Sequence, residues 1–283
     1  MQALRHYLLA VQFFTRIPIT GRLADWVGFS PAMLRASSAH FPGVGLLVAL
    51  VAMGVYGALH WALGGGLPAT APLASLAALV AAVLCTAATV LLTGGFHEDG
   101  LADVADGLGG SHQRERALDI MKDSRIGAFG AMALVLALLA KVALLALLGA
   151  HSLGAALSAL LGAHVLARFW PLLLVRTMAH VGDTATSKSK PLADQIGGRA
   201  LAAAALWCFV PLALVWQAQT ALFLIASVVC SALGAAHVAR LLARRLQGFT
   251  GDGLGAVQQV SEIGFYLGAA LALGWQARWT GAV

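Results

Sequence analysis

Seven of the 12 acidic residues in this chain lie between Glu98 and Asp123, although only 11% of the sequence is charged. On a helix, Asp99, Asp103 and Asp106 share one face within about 60°, because each residue turns the helix by about 100°. Carboxylates on one face repel each other unless a positive group lies among them. Oxygen ligands suit Mg²⁺ or Mn²⁺, and Mg²⁺ usually keeps positions for substrate phosphates. The spacing therefore predicts a Mg²⁺ site for phosphoryl or diphosphate transfer; a solvated acidic helix end is the alternative.

Two neighbours of this cluster are further candidates. Glu98 is a candidate fourth metal ligand, next to the three aspartates. His97 is a candidate catalytic residue, as a ligand or as a general base for proton transfer. A histidine that is hydrogen-bonded at a membrane interface is the alternative interpretation.

Cationic and hydroxyl side chains follow in the segment 121–130. Lys122 and Arg125 are donors that match phosphate, and Arg does so in a bidentate manner. Ser124 lies between them and is included among the phosphate-binding candidates. Gly127 and Gly130 open the next apolar stretch, where the amides of a helix N-terminus can face an anion. Positive charge that flanks a membrane span is the alternative.

A second polar group lies near the C-terminus, in the segment 248–262. Gly251 allows the backbone to approach a ligand closely, and Asp252 follows it. Asp252 either caps the next helix, completes the metal site or binds a ribose hydroxyl. Glu262 lies at the edge of the last apolar stretch, where a charge is costly unless it has a partner. We include Gly251, Asp252 and Glu262 among the substrate-binding candidates.

The elements that position these residues follow from composition. The chain has 283 residues, of which 60% are apolar, against about 45–50% apolar and about 25% charged residues in soluble domains. This excludes a soluble, disordered, collagen-like or disulfide-stabilised class. We predict an all-α, polytopic integral membrane bundle in one domain, 1–283, with about seven transmembrane helices. These spans are expected at 43–61, 73–93, 127–149, 152–175, 200–217, 220–239 and 263–279.

An amphipathic stretch precedes these spans at residues 2–17. Its apolar residues lie near helical spacing, and Pro18 ends it. It either lies in the membrane interface or forms a short packed or re-entrant helix.

Charges on alternate loops predict the orientation. Of the 18 lysine and arginine residues, 15 fall on the N-terminal segment and on every second loop, and all 12 acids lie on that side. The positive-inside rule therefore places the N-terminus and the active site in the cytoplasm and the C-terminus outside. The net charge of +6 is explained by this orientation, so no nucleic-acid partner is expected.

Two motifs resemble a known family. His97-Glu98-Asp99-Gly100-Leu101-Ala102-Asp103-Val104-Ala105-Asp106-Gly107 is similar to the signature of the cobalamin synthase family, the adenosylcobinamide-GDP ribazoletransferases. The segment Met121-Lys122-Asp123-Ser124-Arg125-Ile126-Gly127-Ala128-Phe129-Gly130 resembles the same family. Weaker similarities follow the family's order along the chain, at 12–18, 41–45 and 250–262. The loop 181–199, either a lid over substrate or a linker, matches no motif.

The resemblance implies a reaction. Family members join adenosylcobinamide-GDP to α-ribazole or its 5′-phosphate with Mg²⁺, making adenosylcobalamin or its phosphate and releasing GMP. It implies a corrinoid substrate, α-ribazole and the lipid bilayer as partners, in the cell inner membrane, with a homo-oligomer or association with other corrinoid-assembly enzymes as further expectations. Two alternatives remain open: a membrane prenyltransferase with an aspartate-rich Mg²⁺ motif, and a small-molecule transporter.

Overall fold

The computed structural model describes residues 1–65, 71–181 and 196–280. In this part of the chain the regular elements are helices, and a single β-bridge joins His180 to Phe249. The helices are α1 Gln2–Phe14, α2 Gly21–Val27, α3 Pro31–Ser37, α4 Phe41–Gly64, α5 Pro72–Thr93, α6 Phe96–Gly110, α7 Arg114–Met121, α8 Ala128–His151, α9 Leu153–Leu166, α10 Trp170–Thr177, α11 Gly198–Ala218, α12 Ala221–Arg245 and α13 Gly251–Thr280, with a 3₁₀ turn at Ser38–His40 before α4.

Six helical segments in the described residues are long and apolar enough to cross a membrane. They are Pro31–Gly64, Pro72–Thr93, Ala128–His151, Leu153–Thr177, Gly198–Ala218 and Ala221–Arg245. The prediction of an all-α polytopic membrane protein is confirmed, and these six segments contain six of the seven predicted spans. The seventh prediction, 263–279, lies inside α13, a 30-residue helix that is not among these six segments.

Large apolar side chains cover the outer surface of the bundle. Leu136, Phe209 and Leu233 are 66%, 70% and 61% exposed, although each lies within a long apolar helix. Contiguous apolar surface of this kind is rare on soluble proteins. A hydrocarbon layer around the bundle removes the cost of exposing it.

The N-terminal helix α1 packs against the bundle. Val11 and Phe14 are buried against α4, while Leu9 is buried in a second cluster with Val27 and Leu34 of α2 and α3. Phe14 stacks on Phe41 at the start of α4, with 4.3 Å between the ring centroids. A short helix packed against the bundle is therefore observed, and the location in the membrane interface stays a prediction.

A buried polar network joins four helices inside the apolar bundle. Its members are Glu98 of α6, Lys141 of α8, His164 of α9, Arg168 just after α9, and Gln259 and Glu262 of α13. The central contact is Lys141 Nζ to Glu262 Oε1, at 2.8 Å. His164 Nδ1 lies 3.5 Å from Glu262 Oε2, and Gln259 donates to Glu98 Oε1 at 3.0 Å. Two carboxylates and two cations balance formally, which fits the need to pair charge in a low-dielectric interior.

We predict that breaking the Lys141–Glu262 pair on one side costs more than removing both charges. Glu262→Leu leaves the buried Lys141 ammonium with only the more distant carboxylate of Glu98 as a counter-charge. This substitution should cost about 3–5 kcal/mol of stability. Lys141→Met combined with Glu262→Leu removes both charges and should recover much of that loss. Thermal unfolding of the full chain in detergent measures both variants. A double variant as unstable as the single variant would contradict the pairing.

Candidate active site

Four segments of the chain meet around an open cleft of about 1140 Å³. They are the residues after α1, the end of α5, α6, and the connection between α7 and α8. The side chains of Arg16, Asp99, Asp103 and Ser124 are among those that line it. Ligand sites for small molecules usually occupy about 300–1,000 Å³, so this cleft has room for a molecule the size of a nucleoside diphosphate.

The structure adds Asp252 to the carboxylates of α6. The first turn of α13 packs directly on α6 at Gly100, where a Cβ would lie 2.7 Å from the backbone oxygen of Asp252. Burial, followed by the neighbouring carboxylates of Asp252, Asp99 and Asp106, raises the pKa of Asp103 to about 7. Burial and the charge of Asp99 raise the pKa of Asp252 to about 6. Two helices far apart in sequence therefore concentrate negative charge at one place.

Asp252 is not needed to cap its own helix. The hydroxyl of Thr250 accepts a hydrogen bond from the amide of Gly253 at 3.0 Å, as an N-cap side chain does. Of the predicted roles for Asp252, capping is therefore filled by Thr250. Its carboxylate is left to interact with Asp99 and Asp103.

Asp106 has a different environment from the other two aspartates of the motif. Its Oδ2 accepts a hydrogen bond from the amide of Gly127 at 2.7 Å, and its Oδ1 accepts one from Gly130 at 2.8 Å. The helix N-terminus that the sequence offered to a phosphate is thus satisfied by a carboxylate of the chain itself. Asp106 anchors α8 to α6, both of its carboxylate oxygens accept a hydrogen bond, and its role as a metal ligand stays a prediction.

The predicted phosphate-binding segment divides at Ser124. Ser124 lines the cleft, whereas Arg125 is exposed and holds Asp123 with hydrogen bonds of 2.6 Å and 3.0 Å. Those hydrogen bonds from Arg125 lower the pKa of Asp123 to about 2. Lys122 lies at the exposed end of α7 and is not among the described side chains that line the cleft. The Arg125 guanidinium, which the sequence predicted to bind phosphate, therefore binds the Asp123 carboxylate instead.

Arg16 is the cation in the cleft that the site prediction missed. Its side chain is exposed and lies against Gly94, where a Cβ would collide with the guanidinium. Its backbone amide donates to the carbonyl of Leu92 at 2.7 Å, which fixes the residue beside the end of α5. The similarity of the segment 12–18 to the family was the available signal, but nothing in that segment indicated which residue faces the aspartates.

The remaining candidates lie behind the cleft or at its edge. Glu98 lines the cleft, but its Oε1 belongs to the buried polar network and its Oε2 has no described partner. Glu262 is 1% exposed within that network. A buried carboxylate needs a partner of opposite charge, and Lys141 is that partner. His97 is buried, and burial lowers its pKa, which favours the neutral imidazole. His97 and Gly251 both line an aromatic pocket on the other side of Phe96.

The oxygen-rich cleft fits a divalent cation only together with a substrate. Across residues 1–65, 71–181 and 196–280, no group of three or more His, Cys, Asp or Glu side chains is arranged to hold a metal ion. Mg²⁺ commonly uses one or two carboxylates and takes its other ligands from water and substrate phosphates. The mutual repulsion among Asp99, Asp103 and Asp252 is the kind that a bound cation relieves.

The fold and the cleft define a polytopic membrane protein with carboxylates and an arginine in one open cleft. The family described as cobalamin-5-phosphate synthase matches residues 6–270. The chain belongs to this family, and the resemblance seen in the motifs is confirmed.

Individual relatives share one name, adenosylcobinamide-GDP ribazoletransferase. The adenosylcobinamide-GDP ribazoletransferase of Albidiferax ferrireducens is 60% identical, with 96% of this chain and 99% of the relative covered. The protein of that name from a Polaromonas species is 59% identical, with 96% and 98% covered. The one from Shewanella amazonensis is 40% identical, with 92% and 93% covered. No solved structure matches the chain.

The expectation of a single domain over 1–283 stays a prediction. Most of the loop 181–199, predicted as a lid or a linker, lies outside the described residues.

We predict different effects of two aspartate substitutions on the free energy of unfolding in metal-free buffer at pH 8. Asp106→Asn loses a charged acceptor of two amides and should cost about 1–3 kcal/mol. The folded-state pKa of Asp103, about 7, lies above its unfolded value, so its charge opposes folding once the pH exceeds that unfolded value. Asp103→Asn should therefore leave stability unchanged or raise it.

Thermal unfolding of both variants in the same detergent tests this difference. Equal destabilisation by the two substitutions would contradict the separate roles of Asp103 and Asp106.

Proposed function

We propose that this chain joins adenosylcobinamide-GDP to α-ribazole or α-ribazole 5′-phosphate. The products are adenosylcobalamin or its 5′-phosphate, and GMP. The observation that carries the proposal is the cleft in which Asp99 and Asp103 lie together with Arg16, in a chain of this family. The prenyltransferase and transporter alternatives have no support among the relatives.

In this proposal the chain's own groups bind and orient the diphosphate. The Arg16 guanidinium has the planar fork that matches phosphate oxygens and lies in the same cleft as the acidic residues. The Ser124 hydroxyl is a second polar group on the cleft wall; it is neutral and can either donate or accept a hydrogen bond. Held in this way, the phosphorus next to the cobinamide arm is presented to the ribose 3′-hydroxyl of α-ribazole. The new P–O bond forms as the bond from this phosphorus to the bridging oxygen breaks; GMP leaves with that oxygen, and the hydroxyl proton passes to a cleft carboxylate or to water.

Asp99 and Asp103 would hold Mg²⁺ against the diphosphate, with Asp252 beside them. The chemistry supplied by the bound ion is neutralisation of the charge that develops on the leaving phosphate. The support for this assignment is the oxygen-only donor set and the raised pKa values of Asp103 and Asp252, about 7 and about 6.

We also propose that the cleft faces the cytoplasm from the inner membrane. The support is the alternation of charged and uncharged loops in the sequence together with the six membrane-spanning helices. On this side the cleft is open to the soluble nucleoside, while the apolar surface of the bundle remains in lipid.

Asp103→Asn tests the carboxylate site directly. We expect it to lower the rate of GMP release by at least about a hundred-fold, since removing one preorganised electrostatic group typically costs that much. Asp25→Asn, which changes an exposed carboxylate of α2, is the matched control and should keep normal activity. The assay supplies adenosylcobinamide-GDP, α-ribazole and Mg²⁺ to the full chain in detergent. Near-normal turnover by the Asp103 variant would remove the proposed role.

Arg16→Ala tests the diphosphate contact. Hydrogen bonds to charged groups contribute about 1.5–3 kcal/mol, so kcat/KM for adenosylcobinamide-GDP should fall about 10–150-fold. Arg16→Lys should recover only part of that loss, because a point charge lacks the bidentate fork. Arg22→Ala, in exposed α2, is the matched control and should match the unmodified chain. An unchanged kcat/KM in the Arg16→Ala variant would exclude this contact.

A further inference from the structure

An aromatic pocket lies next to the cleft, at the end of the bundle where α6 and α13 begin. Its wall is almost entirely apolar, and it includes Phe14, Phe41, Phe96, His97 and Phe249. The side chains come from helices that are far apart in sequence. The site candidates His97 and Gly251 lie on its wall, but none of the contacts proposed above for the diphosphate uses the pocket.

The rings of the pocket already pack on one another's faces and edges. The Phe41 and His97 rings are stacked, with 5.8 Å between centroids, and the Phe249 ring lies 5.3 Å from that of His180, edge to face. Aromatic surfaces arranged in this way bind flat rings by stacking and edge contacts. The pocket is therefore suited to a planar aromatic group.

The position of the pocket connects it to the proposed chemistry. Phe13 and Phe96 line both the pocket and the cleft. Gly251, which lines the pocket, directly precedes Asp252, and Asp99 lies one turn along α6 from Phe96. A nucleoside with its base in the pocket therefore has its sugar beside the carboxylates.

The polarity of the wall distinguishes between the two bases in the proposed reaction. Guanine has several donors and acceptors on its edge, and an apolar wall would leave most of them unpaired, which is costly. A dimethylbenzimidazole has two methyl groups and one free ring nitrogen. His97 lines both this pocket and the small cavity of the buried polar network, and its buried Nε2 has no hydrogen-bond partner in the described part of the chain.

We infer that this pocket binds the benzimidazole base of α-ribazole, an inference that rests on the proposed function. The open space in it is about 50 Å³, so a two-ring base enters as a bordering ring turns aside. Phe96 is 43% exposed and is the ring that separates pocket from cleft. Rotamer changes of exposed side chains are fast and add no barrier on the scale of turnover.

The test uses two matched phenylalanine substitutions in the full chain in detergent. Phe249 and Phe223 are both fully buried, but only Phe249 is among the described residues that line the pocket. Stacking of a base on an aromatic ring is worth about 1–3 kcal/mol, so Phe249→Leu should raise the Kd of α-ribazole at least about five-fold. Phe223→Leu should leave that Kd unchanged. Equilibrium dialysis with α-ribazole alone gives both values, and thermal unfolding compares the folding of the two variants.

A second measurement needs no variant. Free 5,6-dimethylbenzimidazole should displace α-ribazole from the unmodified chain, and guanosine should not. Displacement by guanosine alone, or an unchanged Kd in a folded Phe249→Leu variant, would overturn the inference. A rise in the KM of adenosylcobinamide-GDP in place of the Kd of α-ribazole would assign the pocket to guanine instead, which also overturns it.

The outcomes separate this inference from the proposed function. If GMP is released but Phe249→Leu binds α-ribazole normally, the pocket assignment fails and the transfer reaction stands. If α-ribazole binds in the pocket but no GMP is released with both substrates and Mg²⁺ present, the transfer reaction fails.

Discussion

The contact between Lys141 and Glu262 is the constraint on which the rest of the structure depends. In an apolar bundle a buried charge must find an opposite charge, because water is absent and the cost of an unpaired ion is several kcal/mol. Lys141 lies on α8 and Glu262 on α13, and Glu98 brings α6 into the same network. The packing of these three helices is therefore restricted, and with it the position of the acidic residues of α6.

The acidic helix α6 distributes its charges to separate partners. Glu98 is drawn toward Lys141 and Gln259, while Asp106 holds the first amides of α8. Asp99 and Asp103 line the cleft, and the charge of Asp252 of α13 acts on Asp103. A motif that is one run of acids in sequence thus contributes two anchors and two carboxylates that we propose for the substrate site.

The two sides of Phe96 have opposite chemistry, and the proposed reaction needs both. One side is the charged cleft with Arg16 and the aspartates, which we propose for the diphosphate. The other side is an aromatic pocket with hardly any polar wall, which we propose for a flat base. A transferase that joins a nucleoside to an activated phosphate requires two such environments next to each other, and here Phe13 and Phe96 line both.

Much of this protein was determined by its sequence alone, since the relevant properties are local or additive. Apolar runs specify helices that cross a membrane, and the 100° helical period puts Asp99 and Asp103 on one face. The motifs also identify the family. Only the tertiary structure decided that Asp106 binds the amides of α8, that Asp252 joins Asp99, and that Arg16 rather than Arg125 faces the cleft. Helical periodicity shows which residues share a face, but the element opposite that face depends on packing between helices up to about 150 residues apart in the chain.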